Sequence, residues 1–180
     1  MVTNQSTKIV TGKVRLSYCH LFEPQAIEGG DPKYSVTILI PKSDETTVNK
    51  IKSAIALAAE NGKAKFGGKV PANLKNTLRD GDEEKDVSEQ PEYKNCYFMN
   101  VSSRNKPGVV DKDLNPILDS SEIYSGCYGR VSLNFYAYNT AGNKGVSAGL
   151  NNVMKLADGD YLGGRSSAED DFKDIEDILG

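Results

Sequence analysis

The sequence predicts a mainly β fold with five or more strands, one main α-helix and turn-rich connections. Short runs of β-branched and aromatic residues recur along the chain, separated by glycine, proline and asparagine. Only one segment has apolar residues at helical spacing, so a parallel sheet of alternating strands and helices is disfavoured. An OB-like Greek-key barrel accommodates these elements, although periodicity alone does not distinguish it from a sandwich.

The amino-terminal third contributes two of these strands and the helix. The first strand is predicted over residues 8–16, and period-two alternation assigns its faces: Val10, Val14 and Leu16 inside, and Ile9, Thr11, Lys13 and Arg15 outside. A second, almost continuously apolar strand is predicted over 34–40. Ser43 is expected to cap the helix, which covers 46–61 and stops at Gly62.

The rest of the chain begins with a polar excursion over residues 63–95. A short helix is expected around 73–78, and an acidic flexible loop at about 80–92. Three further strands are predicted, over 97–103, 127–138 and 146–156. The last two are expected to form a hairpin around Ala141, Gly142 and Asn143.

Charge is distributed unevenly along the chain. The net charge is −3, but residues 80–92 carry −6 and residues 166–180 carry −5. The remainder is therefore basic, at +8, which suits a polyanionic partner. We expect one OB-fold domain over residues 1–165 and an acidic interaction tail over 166–180.

The composition also indicates the cellular compartment in which the protein is expected. No apolar run approaches the roughly 18 residues of a membrane-spanning helix, and the first residues lack the pattern of a secretion signal. The three cysteines, an odd number at wide spacings, argue against a disulfide scaffold. We expect a cytoplasmic protein that does not bind membranes.

Residues suited to catalysis are sparse. HExxH, Walker and Rossmann motifs are absent from the sequence. Two metal sites can be drawn: a zinc site from Cys19, His20, Cys96 and Cys127, and a nuclease-type site from Asp111, Asp113 and Asp119. Both are disfavoured, because the cysteines lack CxxC spacing and the acids lie where aspartate shapes turns. We expect no enzymatic activity, no metal and no cofactor.

The predicted strand over 127–138 offers a surface for nucleic acid. Its apolar face carries Val131, Leu133, Phe135 and Ala137, and its other face carries Tyr128, Arg130, Asn134, Tyr136 and Tyr138. Single strands need flat rings on which bases stack and cations for their phosphates, and the second face has both. Nine residues are predicted to bind nucleic acid: Lys13, Arg15, Arg104, Lys106, Tyr128, Arg130, Tyr136, Tyr138 and Lys144. The alternative is that these tyrosines pack on a half-buried sheet and the lysines protect strand edges.

The tail combines acids with large apolar residues. Its predicted partner-binding residues are Asp170, Asp171, Phe172, Asp174, Ile175, Asp177, Ile178 and Leu179. The apolar members are spaced so that they form one face of an amphipathic helix on a partner protein. The alternative is a disordered tail that only keeps the protein soluble.

Residues 136–165, YAYNTAGNKGVSAGLNNVMKLADGDYLGGR, followed by AEDDF, resemble a bacteriophage family of OB-fold single-stranded-DNA-binding proteins. The preceding IYSGCYGRVSLNFYAY and the amino-terminal strand, helix and strand are similar too, so the resemblance covers nearly the whole chain. It implies a non-catalytic protein that coats ssDNA during phage replication or recombination, as a homodimer or higher assembly. It also implies a tail that contacts replication proteins, such as a polymerase or helicase, and competes with DNA for the basic groove.

Two other classes stay open at this point. One is a small metal-dependent nuclease that uses the acids between Asp111 and Asp119. The other is a structural or adaptor protein of a phage, in which the tyrosines are core residues and the tail makes the contacts.

Overall fold

Nine β-strands and two α-helices are present in residues 6–26 and 30–162, the part of the chain that the computed structural model describes. In chain order they are β1 (Lys8–Val10), β2 (Val14–Gln25), β3 (Lys33–Pro41), α1 (Glu45–Asn61), β4 (Lys75–Asn76), β5 (Arg79–Asp80), α2 (Gly81–Glu84), β6 (Cys96–Ser103), β7 (Gly108–Val110), β8 (Tyr128–Thr140) and β9 (Asn143–Ala157). Short 3₁₀ turns lie at Lys63–Phe66, Pro91–Tyr93 and Ser120–Glu122.

Five of the strands close into a barrel. β2 pairs with β3, β3 with β6, β6 with β9 and β9 with β8, which pairs back to β2. Every pairing in this ring is antiparallel except that of β6 with β9. Counted in chain order, the ring strands lie in the spatial order 1-2-3-5-4, which is a Greek-key arrangement. The predicted OB-like barrel is therefore confirmed, and the alternative of a sandwich is excluded.

The barrel interior is filled by side chains that alternate along the strands. On β8, Val131, Leu133, Phe135 and Ala137 are buried, as their spacing predicts. The predicted hairpin is also confirmed, because Ala141 and Gly142 join β8 to β9 with φ of 51° and 87°. α1 packs on β8 and β1 with Val48, Ile51 and Ala58 buried in the same core.

The ends of α1 show one confirmed and one wrong prediction. Gly62 ends the helix, and its N–H donates to Ala58 O at 3.0 Å. The cap is Asp44 rather than Ser43, because the Asp44 carboxylate accepts from both the N–H and the hydroxyl of Thr47, at 3.1 and 2.6 Å. One carboxylate thus satisfies two donors at the helix start, which a serine hydroxyl does not match.

The first predicted strand is two strands, and part of its face assignment is wrong. Val14 and Leu16 point inward as expected, but Ile9 and Thr11 are buried and Val10 is 40% exposed. The chain leaves extended pairing at Gly12, whose N–H donates to the Thr47 hydroxyl at 2.9 Å. An added Cβ at Gly12 would lie 2.6 Å from Asp44 Oδ2, so this close approach to α1 requires glycine. The break shifts the alternation by one residue between β1 and β2.

The predicted short helix around 73–78 is wrong. Lys75 and Asn76 instead form β4, which pairs with Gly145 and Val146 of β9. Tertiary pairing with an available strand edge therefore overrides the local helix pattern.

The acidic loop predicted at 80–92 lies within a segment, residues 79–94, that packs on the outside of the barrel and is called the acidic segment below. Its Tyr93 is 2% exposed and contacts the Phe98 ring edge-to-face at 5.1 Å, beside Leu39. Lys42 bridges Asp80 and Asp82 at 2.7 and 2.8 Å, which ties the segment to the end of β3. These contacts give the segment a defined position, and its flexibility stays a prediction.

No helix in the described ranges has both the length and the apolar character that crossing a bilayer requires.

Candidate nucleic-acid interface

An open groove crosses the outer face of β2, β3 and β6. Its volume is about 580 Å³, and its floor is made by outward side chains of these three neighbouring strands. They are His20 on β2, Ser35 and Thr37 on β3, and Asn100 and Ser102 on β6. None of the described lining residues is acidic. The groove is thus a polar trench free of negative charge across the centre of the barrel face.

The floor is held by strand register and by one short side-chain hydrogen bond. Ser35 lies opposite Ser102, and Thr37 lies opposite Asn100, so the four side chains form two adjacent rows. The Thr37 hydroxyl donates to Asn100 Oδ1 at 2.6 Å. This bond fixes the side chain of Asn100, an exposed residue, before any ligand arrives.

The acidic segment contributes Lys85 and Tyr93 to one wall of the groove. Tyr93 and Phe98 close this end, and Lys85 Nζ lies 5.3 Å from the centroid of each ring. Burial raises the pKa of the Tyr93 hydroxyl, with smaller contributions from Tyr18 and Glu92. The phenol is therefore neutral at physiological pH, and Lys85 is a cation placed over aromatic surface at the rim.

Tyr18 also lines the groove, on a β-bulge of β2. Ser17 lies opposite Thr37 and His20 opposite Ser35, so two residues of β2 lie between these pairs against one residue of β3, and one extra residue is inserted at this point. Tyr18 is that residue, with φ of 48°, and 54% of it is exposed. A left-handed conformation is unfavourable for tyrosine, so contacts around the bulge must hold it in place. The bulge presents a flat ring to solvent beside the groove.

The side chains predicted on β8 share one face and are spread along its whole length. Arg130, Asn134 and Tyr136 are exposed, and Tyr128 and Tyr138 are half-buried. They extend along a strand of 13 residues, so about 33 Å separates Tyr128 from Tyr138. A strand face that is continuous in sequence is therefore divided into separate patches on the molecule.

The first patch surrounds Tyr128. Lys13 Nζ and the Arg15 guanidinium lie 4.8 and 5.3 Å from the centroid of its ring. Arg15 also donates to the carbonyls of Gly126 and Asp160, at 3.1 and 2.8 Å. Arg130, next along the face, donates to Thr11 O at 2.9 Å. Both arginines thus hold backbone segments together, and Lys13 and Arg130 are exposed.

The remaining predicted cations lie in two other places. Lys144 Nζ is 3.5 Å from Phe66 O, at the hairpin end of the barrel, where Tyr138 packs against Gly145. Arg104 and Lys106 lie on the loop after β6, with Arg104 Nη2 3.7 Å from Asp31 and Lys106 over the Phe22 ring. This loop begins two residues after Ser102, a residue of the groove floor.

The two alternative metal sites find no support in the geometry. Asp111 Oδ1 accepts from the N–H groups of Asp113 and Asn115, and Asp119 Oδ1 caps the turn at Ser121. Burial raises the pKa of the Cys19, Cys96 and Cys127 thiols, which disfavours the thiolates that zinc binds. Within the described ranges, no three histidine, cysteine or acidic residues are grouped as metal ligands.

The predicted tail residues lie outside the described residues, but the chain leading to them is fixed next to the groove. Tyr161 stacks on Tyr124 at 4.6 Å, and Leu162 donates its N–H to Ser125 O at 3.0 Å. Leu162 packs against the cluster that contains Tyr93 and Phe98, two residues of the groove wall. The described chain therefore ends beside the groove.

Sequence reasoning missed the groove itself. Its floor residues are small and polar and come from strands far apart in sequence, so no local pattern distinguishes them. Tyr18 carried the one available signal, an aromatic residue that interrupts the alternation of the strand it belongs to. A closed five-stranded barrel with a polar trench and an exposed ring at its rim is the arrangement of an OB-fold binding module.

Comparison with known proteins gives the family. Residues 7–179 match the family model described as Enterobacter phage Enc34, ssDNA-binding protein, and the chain belongs to this family. Protein p50 of Acyrthosiphon pisum secondary endosymbiont phage 1 is 33% identical over 93% of this chain and 94% of its own.

Solved structures agree with this assignment. The single-stranded DNA-binding protein from bacteriophage Enc34 in complex with ssDNA has a TM-score of 0.75 and 29% identity, over 87% of this chain and 90% of its own. The gp2.5 single-stranded DNA-binding protein encoded by bacteriophage T7 has a TM-score of 0.60 and 19% identity, over 93% of each chain. The second likeness shows the fold alone.

Proposed function

We propose that this protein binds single-stranded DNA without sequence preference, in the groove across β2, β3 and β6, and coats it during phage DNA replication or recombination in the host cytoplasm. The observation that carries the proposal is the open groove with a polar floor, lined also by the exposed ring of Tyr18 and by Lys85. The bacteriophage Enc34 relative with a similar fold is a protein whose structure contains ssDNA.

The groove suits single strands for physical reasons. Serine, threonine and asparagine side chains form hydrogen bonds with phosphates and bases of any sequence, and an exposed tyrosine stacks on any base. Within the described part of the chain, no α-helix contributes a lining residue that could enter a major groove and read base edges there. The proposed function is binding rather than catalysis, since the described lining residues contain no acid.

The tail over 166–180 supplies the regulatory part of the proposal. Its charge of −5 is attached to a basic domain, and the described chain ends at Leu162, beside the groove wall. A short tether gives the tail a high effective concentration at the groove, so it competes with DNA there. DNA would then release Phe172, Ile175, Ile178 and Leu179 to recruit a replication protein, such as a polymerase or helicase.

The test is a titration of the full-length protein with labelled oligothymidylate, a mixed-sequence oligonucleotide and a duplex, at several salt concentrations. We expect similar affinity for both single strands, weaker duplex binding and a steep loss of affinity with salt. Lys85→Ala should reduce the slope of the logarithm of the binding constant against the logarithm of the salt concentration (the salt slope) by about 0.7, which is the effect of one phosphate contact on a single strand. Lys50→Ala, which removes the same charge from the exposed side of α1, is the matched control. Duplex preference, or affinity independent of salt, contradicts the proposal.

A further inference from the structure

A continuous row of register partners runs from the groove around the barrel. His20 lies opposite Ser35, Ser35 opposite Ser102, and Ser102 opposite Gly149. The row continues from Gly149 to Asn134 and from Asn134 to Lys8. It therefore crosses six strands, β2, β3, β6, β9, β8 and β1, and none of its members is buried.

The middle of this row is low, because its side chains are small. Serine, serine and glycine occupy β3, β6 and β9, so no large side chain separates the groove from the surface of β8. An added Cβ at Gly149 would lie 3.7 Å from Tyr136 Cε1, which places the edge of that exposed ring beside the glycine. The row thus has an aromatic ring along one side where it crosses from β9 to β8.

The far end of the row opens into a second groove of about 440 Å³. It is rich in amides and lysines, and its described lining contains no acid: Lys8, Ser103, Asn105, Lys106, Asn134 and Asn152 contribute most of it. Asn134 and Lys8, the last two members of the row, both line this second groove. The second groove therefore shares a polar, acid-free described lining with the first, contains two cations, and is reached from the first along the row.

We infer that this second groove is a further binding subsite for the same DNA strand, which crosses β9 at Gly149, stacks a base on Tyr136 and ends with a phosphate at Lys8. The inference rests on the proposed function. Six strands are spaced by five intervals, so the row is about 24 Å long before the curvature of the barrel is counted. A short oligonucleotide would fill the first groove, and only a longer one would reach Lys8.

The experiment measures affinity as a function of oligonucleotide length, with oligothymidylates from about 4 to 16 nucleotides, the range of OB-fold site sizes. Gly149→Leu raises a barrier in the row without changing charge, and Gly149→Ala adds only a Cβ at an ordinary contact distance. Lys8→Ala removes the terminal cation, with Lys50→Ala as its matched control. Melting temperatures of all variants identify any loss of fold.

We expect Gly149→Leu to weaken binding of the longest oligonucleotide about tenfold and to leave the shortest unchanged. Lys8→Ala should lower the salt slope by about 0.7 for long oligonucleotides only. If both folded variants bind every length as the wild type does, or lose affinity equally at every length, the second subsite is overturned. The proposed function is judged separately, by whether the wild-type protein binds the oligonucleotides at all.

Discussion

The backbone N–H of Tyr18 donates to the Ser125 hydroxyl at 2.8 Å. The bulge removes this N–H group from the hydrogen-bond ladder between β2 and β3, and Ser125, in the loop before β8, accepts the hydrogen bond instead. The bulge is therefore supported from outside the sheet, and the ring of Tyr18 stays at the rim of the groove although its backbone is left-handed.

Tyr18 should affect binding and stability in opposite directions. Tyr18→Gly relieves the left-handed conformation and should stabilise the fold by about 1 kcal/mol. The same change removes the stacking ring and should weaken ssDNA binding by about 1–3 kcal/mol. Thermal unfolding and an oligonucleotide titration measure the two effects, and Tyr18→Phe should retain binding. A glycine variant that is less stable and binds normally would show that the ring is a packing residue.

Phe135 and Tyr136 are neighbours on opposite faces of β8, with exposures of 2% and 46%. Phe135→Ala should destabilise the fold by about 3–5 kcal/mol, because it leaves a cavity in the barrel core. Tyr136→Ala should leave the melting temperature nearly unchanged and weaken binding of long oligonucleotides by about 1–3 kcal/mol. Chemical denaturation and titration of both variants test the assignment. If Tyr136→Ala lost much stability and Phe135→Ala did not, the assignment of the core face and the exposed face of β8 would be reversed.

The sequence was informative wherever one strand face lies on the core. Along β8, burial alternates with period two, so Phe135 and Tyr136 could be assigned before the structure was known. The same reasoning failed between Val10 and Val14, because contacts of Gly12 with α1 interrupt the strand. It also could not locate the groove, since Ser35 and Ser102 become neighbours only through pairing of strands distant in sequence. Local periodicity reports which way a side chain points, but not which other strands lie beside it.

The anchor of the acidic segment should respond to acid. Hydrogen bonds from Lys42 lower the pKa of Asp80 and of Asp82, and the same bonds raise the pKa of Lys42. Because the folded pKa values of the two acids are depressed, their contribution to stability is present above the ordinary value of about 4 and is lost as the pH falls through the folded values. The raised pKa of Lys42 keeps its own contribution intact across neutral pH.

We therefore expect amide hydrogen exchange in residues 79–94 to accelerate below about pH 4, after correction for intrinsic exchange. Lys42→Met should produce the same acceleration at neutral pH, whereas Lys50→Met should not. The core amides of β8 serve as the internal reference. Unchanged protection of the acidic segment in Lys42→Met would mean that Tyr93 and Phe98 hold it without the ion pairs.

Deletion of residues 166–180 should tighten ssDNA binding, most clearly at low salt, because it removes a tethered competitor with a charge of −5. The described domain ends at Leu162 with its own contacts, so the truncated protein should keep the melting temperature of the full chain. Titrations of both proteins at two salt concentrations give the comparison. A second variant, in which Phe172, Ile175, Ile178 and Leu179 are changed to alanine, keeps the charge and should leave DNA affinity unchanged while it abolishes recruitment of a replication protein. Equal affinities of the full and truncated chains at low salt would reduce the tail to a solubilising segment.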